Sequence, residues 1–73
     1  MESHRLVSMA NQIADFFKAY PEEEAIAGVE NHIRQFWDPR MRAQLSKHID
    51  GGGAGLDSIS LAAAKRLQRN AAA

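Results

Sequence analysis

The chain has 73 residues, nine Lys+Arg against nine Asp+Glu, and a formal net charge of +0 with its three histidines neutral. That length bounds it to one small domain, and neutrality argues against a partner as anionic as nucleic acid or a membrane surface. Cysteine is absent, which removes disulfides, thiolate nucleophiles and Cys-ligated zinc or iron–sulfur clusters.

The first predicted helix covers roughly residues 3–19. Leu6, Met9, Ala10, Ile13, Phe16, Phe17 and Tyr20 recur at helical spacing, and His4, Ser8, Asn11, Asp15 and Lys18 fill the opposite face. Ser3 is placed to cap it. Pro21 ends it, because proline disfavours helical geometry at Tyr20. Pro21 also suits the first turn of a second helix over 21–37, with Glu22, Glu23 and Glu24 at the positive end of its dipole. The apolar stripe there is Ala25/Ile26, Val29, Ile33 and Phe36/Trp37, and Glu30 and Arg34 form an i,i+4 pair. Gly28 costs about 1 kcal/mol relative to alanine mid-helix, which points to a close helix–helix approach.

Asp38-Pro39 starts a third helix over 39–50, by an N-cap followed by proline at N1. Met41, Leu45 and Ile49 form its stripe. Gly51-Gly52-Gly53-Ala54-Gly55 then reads as a flexible connection over 51–55. Asp57 or Ser58 caps a last helix over 57–69, with Ile59, Ala62/Ala63, Arg66 and Leu67 as a weaker stripe and Leu61 off it. Residues 70–73 are expected to fray. The expectation is a single all-α domain over 1–73, a small bundle of three to four short helices with a glycine-rich loop before the last.

Charge divides along the chain. Residues 1–37 hold three basic and six acidic residues, and residues 38–73 six basic and three acidic. Opposite halves suit self-docking or the steering of a partner.

Chemistry finds little purchase. His4, His32 and His48 share no helical spacing, and no paired-His ligand motif occurs. The glycine stretch puts Leu56 at the third position of a dinucleotide loop and follows a helix, and no G-K-[ST] is present. Arg34, Arg40 and Arg42 near Phe36-Trp37 resemble a stacking platform, but those aromatics end an apolar stripe. A 73-residue bundle also has little room for a substrate pocket of about 300 Å³ or more. No catalytic, cofactor-binding or metal-ligating residue is assigned. No apolar run nears the roughly 20 residues of a membrane span, and Met1-Glu2-Ser3-His4-Arg5 opens no signal peptide. The apolar supply exceeds what four short helices cover, with Val7 and Leu61 beside their stripes. That favours an interaction protein, self-association included, over an enzyme.

Three stretches together carry a family resemblance. They are Leu6-Val7-Ser8-Met9-Ala10-Asn11-Gln12-Ile13-Ala14-Asp15-Phe16-Phe17, His32-Ile33-Arg34-Gln35-Phe36-Trp37-Asp38-Pro39-Arg40-Met41-Arg42, and Gly53-Ala54-Gly55-Leu56. In this order the chain resembles the delta subunit of NAD-dependent, molybdenum-containing formate dehydrogenase. The resemblance implies a cytoplasmic complex that oxidises formate to carbon dioxide and passes electrons to NAD. It implies an alpha subunit with bis-molybdopterin guanine dinucleotide and iron–sulfur clusters, and beta and gamma subunits with FMN, further clusters and the NAD site. This chain would be a small, cofactor-free, non-catalytic subunit supporting assembly or stability of the large one. A transient chaperone for cofactor insertion and an unrelated self-associating helical domain are the alternatives.

Within those signatures, Asn11 and Gln12 are expected to act beyond solubility, since asparagine is a mediocre helix former. A hydrogen bond from Asn11 to a partner or to the loop before the third helix is the expectation. The corner Phe36, Trp37, Arg40, Met41 and Arg42 is the expected partner contact. Adjacent Phe36 and Trp37 point about 100° apart, so one can be core while the other faces outward.

Overall fold

The computed structural model describes residues 3–72, with side-chain surroundings for 4–70. Four helices follow one another: α1 (Ser3–Phe17), α2 (Glu22–Phe36), α3 (Pro39–Asp50) and α4 (Ser58–Ala72). No strand occurs among the described residues. The most extensive packing joins α2 to α4 and α1 to α2, with α3 laid against α4 and α1.

The boundaries have local causes. α1 ends at Phe17, two residues before the expected end, in a turn where Tyr20 N donates to Phe17 O at 3.0 Å. The capping expected of Ser3 lies outside the described side chains. Pro21 is the N-cap of α2 rather than its first helical residue, because its ψ of 149° is extended; its carbonyl accepts Ala25 N at 2.9 Å. Asp38 caps α3 through Met41 N→Asp38 Oδ1 at 2.8 Å, with Pro39 at N1. Asp57 rather than Ser58 caps α4, accepting from Ser60 N at 2.8 Å. α4 runs on to Ala72, past the expected 69, and Asn70 Nδ2 donates to Glu30 at 2.8 Å. Ala73 lies outside the described residues.

The core gathers Leu6, Ala10 and Ala14 of α1, Val29 and Ile33 of α2, Trp37, Leu45 of α3, and Ala63 and Ala64 of α4. Leu6, Val29 and Ile33 are fully buried, each contributing about 1.5–3 kcal/mol. Alanines let the helices approach closely, and Trp37 fills the volume they leave.

The inward lines differ from the expected stripes by a partial rotation. In α1 the line is Leu6, Ala10 and Ala14, and Val7 is buried beside it. Phe16, expected inside, is 72% exposed, since it stands roughly 200° round the helix from Ala14. Tyr20 and Phe36 are exposed as well. In α4 the buried line is Ser60, Ala63 and Ala64, with Ile59 only half-buried. Gly28 supports the expected close approach: a Cβ there would lie 2.5 Å from Phe17 Cε1, so the ring occupies the space.

Opposite charges meet between α2 and α4. Arg66 pairs with Glu23, and its Nη1 lies 4.0 Å from Glu30. Glu30 is buried and also holds Arg34 at 2.6 Å.

Residues 51–57 join α3 to α4. Sequence reasoning treats 51–55 as a loose connector, but the stretch is tied along its length. Gly53 N donates to His48 O at 3.0 Å, and His48 Nε2 lies 2.8 Å from Ala54 O. Gly53 is buried at φ +67°, and an added Cβ would lie 2.8 Å from Leu61 Cδ1. Only glycine meets both conditions.

Candidate functional site

Asn11 reaches a different target from the expected one. Its Nδ2 donates to Gly55 O at 2.9 Å, and its Oδ1 accepts Asp57 N at 3.0 Å. The Ser60 hydroxyl lies 2.7 Å from both Asn11 Oδ1 and Asp57 Oδ1 and can donate its one proton to either. Asn11 therefore fastens the loop before α4, not the loop before α3. The reason is packing: Val7, one turn earlier on α1, sits against Gly55, where an added Cβ would be 3.2 Å from Val7 Cγ1. That contact brings the Gly55 carbonyl and the Asp57 amide within reach of the Asn11 amide.

Asp57 is the charged member of this knot. Partial burial pushes its carboxyl up, but donation from the Ser60 amide and hydroxyl and the nearby Lys18 ammonium outweigh this and hold it below its ordinary value. Lys18 is raised in turn, by its hydrogen bond to Asp15 first and then by the charges of Asp15 and Asp57.

The corner from Phe36 to Arg42 does not stay together. Trp37 is 5% exposed and belongs to the core, and Met41 packs against that core half-buried. Phe36 is 71% exposed, on the side of α2 that faces away from the core, with its ring centroid 4.7 Å from that of His32. Arg40 is exposed, while Arg42 stands in the crevice between α3 and α4. Trp37, the C-cap of α2 with extended backbone, turns into the core, and Phe36, the last helical residue, stays outside.

An open apolar groove of about 430 Å³ runs between α1 and α2. Met9, Ile13, Phe16 and Phe17 form one wall, His32 the other, and Trp37 contributes its edge. Gln12 lines it and is exposed, so of the Asn11-Gln12 pair only Gln12 faces outward here. Phe16 and Phe17 meet edge to face at 5.1 Å. Phe16 was not among the residues singled out from sequence. The signal was present, because Phe16-Phe17 is an adjacent aromatic pair like Phe36-Trp37, and one ring of each pair is exposed.

Among the described residues no group of three or more His, Cys, Asp or Glu is placed to hold a metal ion. No helix of the described residues is long and apolar enough to cross a membrane. What fold and surface define is a small all-α domain whose prominent features are exposed faces of helices. Its family is specific. Residues 5–64 match the FdsD family model, described as the NADH-dependent formate dehydrogenase delta subunit, and the chain belongs to that family. No curated protein and no solved structure matches it.

Proposed function

We infer that the chain is a non-catalytic delta subunit that supports the assembly or stability of the molybdenum-containing large subunit in a cytoplasmic formate dehydrogenase complex. The observation that carries this reading is the uncovered aromatic groove between α1 and α2, in a chain whose family is a subunit of a larger enzyme. Exposed Phe16 lines it, exposed Phe36 lies against its wall residue His32, and burying both rings against a partner is favourable. An open groove with an apolar lining suits an apolar helix laid along it. Gln12 and Phe36, with Arg40 at the turn into α3, remain as partner contacts from the residues the sequence marks. Trp37 and Met41 support them from inside, and Asn11 acts by holding α4.

In this reading the complex's bis-molybdopterin guanine dinucleotide, iron–sulfur clusters and FMN belong to the alpha, beta and gamma subunits. The chain contributes contact surface.

The test is isolation of the enzyme from its host through a tag on this chain. Active enzyme recovered at a fixed ratio of this chain to the large subunit is expected. Recovery of only cofactor-free large subunit would instead establish a transient chaperone. The isolated chain should be helical and carry no flavin, pterin or stoichiometric metal after gel filtration, and any of these would refute the scaffold reading.

A further inference from the structure

The charges of the molecule are unequally satisfied. Arg66 and Arg34 neutralise carboxylates of α2, and Lys18 stands by Asp15 and Asp57. Six cations have no carboxylate partner among the described residues: Arg5, alone on α1, and the group Arg40, Arg42, Lys47, Lys65 and Arg69. The five of the group lie on α3 and α4. Arg40 and Lys47 are exposed two turns apart on the outer side of α3, and Lys65 and Arg69 one turn apart on the outer side of α4.

Arg42, also on α3, is half-buried. It lines a crevice of about 300 Å³ between α3 and α4, whose apolar lining is Leu45, Ala64 and Leu67. Its Nε is buried and has no hydrogen-bond partner. The carboxylates nearest in sequence are already engaged: Asp38 caps α3, and Asp50 Oδ1 accepts Gln68 Nε2 at 2.6 Å.

We propose that the α3/α4 face docks an acidic segment of a partner subunit, whose carboxylates meet these five cations while an apolar side chain enters the crevice. The proposal rests on the reading of the chain as a subunit of a complex. Charge complementarity selects the occupant. A second copy docked by a two-fold axis would set the same cations against themselves, and one docked through its α2 acidic start would compete with Arg66 for Glu23. Nucleic acid fits less well, because the chain as a whole is neutral and the crevice that Arg42 lines is apolar. The face is separate from the α1/α2 groove, so the chain would hold its partners by an apolar contact on one side and an ionic one on the other.

The experiment co-expresses tagged chain with the enzyme and counts partner subunits captured per chain at ionic strengths of about 0.05 and about 0.5 M, where screening differs strongly. The variant Lys47→Gln/Lys65→Gln/Arg69→Gln changes only exposed side chains and is expected to keep the wild-type melting curve. At low salt it should capture about tenfold less partner than wild type. At high salt wild type should fall towards it. Phe36→Ser should lower capture at both salts and leave the salt dependence in place. Equal capture by wild type and the triple variant at low salt overturns the proposal, as does wild-type capture indifferent to salt. A wild-type chain that retains single-stranded oligonucleotide in preference to enzyme also overturns it. Absence of any wild-type capture at either salt fails the subunit reading itself, an outcome distinct from loss of the charge dependence alone.

Discussion

The knot around Asn11 and the corner around Trp37 are both short, distinctive stretches, and they end in opposite arrangements. At the knot, a polar residue on the expected outer face of α1 is drawn inward and bonded to a loop and a helix start. At the corner, an apolar pair is split, with Trp37 inside and Phe36 left in the open. Polarity alone therefore does not say which way a side chain of this bundle faces. What decides is whether a matching surface exists within the chain. Asn11 finds the Gly55 carbonyl, the Asp57 amide and the Ser60 hydroxyl, whereas Phe36 lies against His32 and stays 71% exposed.

The contrast is most sharply broken at Trp37. Trp37→Ala leaves a cavity where α1, α2, α3 and α4 converge and is expected to cost about 3–5 kcal/mol, read as loss of cooperative thermal unfolding. A small drop in melting temperature would mean that the core closes without it. Asn11→Ala comes next. It strips partners from Gly55 O, the Asp57 amide and the buried Ser60, at a cost of about 1–3 kcal/mol. For a domain of this size that is a fall of several degrees or more in melting temperature. A gain in helicity with unchanged melting would show that the knot is ornamental.

Acid titration probes the same knot more gently. Because the folded state holds Asp57 below its ordinary value of 3.8, its contribution is present above that pH. It is lost as pH falls through the depressed folded value. Wild type should lose stability over that acid range, and Asp57→Asn, less stable near neutrality, should show a flatter acid limb. Parallel limbs would mean that other carboxylates dominate. Phe36→Ser stands at the far end, with stability expected to change by no more than about 0.5 kcal/mol while recovery of the complex falls. A large drop in melting temperature would place Phe36 in the core after all.

Much of the fold was legible because its punctuation is local. Pro21 and Asp38-Pro39 mark breaks whose physics needs no partner, and the helices separate there, with turns at 18–21 and 37–38 wider than the single residues 20 and 38 left between the expected helices. The inward line of each helix was less legible. A rotation of one position separates Ile59 from Ser60 and Phe16 from Phe17, and an alanine-rich core gives little apolar contrast to set it. The partners of Asn11 could not be read at all, since they depend on how α1 meets a loop far along the chain. Of the marked contact residues, geometry keeps Gln12, Phe36 and Arg40 at the surface and commits Asn11 and Trp37 elsewhere.

The span of the Asn11 bonds has a kinetic consequence. They join positions 44, 46 and 49 residues apart, most of the chain's length. Closing such loops comes late and carries an entropic cost before any contact repays it. During synthesis, α1 and α2 can meet as soon as both have emerged, with the Phe17 ring seated on Gly28. The lock on α4 must await Gly55, Asp57 and Ser60. A chain cut within the glycine stretch would thus keep the Phe17 ring against Gly28 but lack every bond that the Asn11 side chain makes.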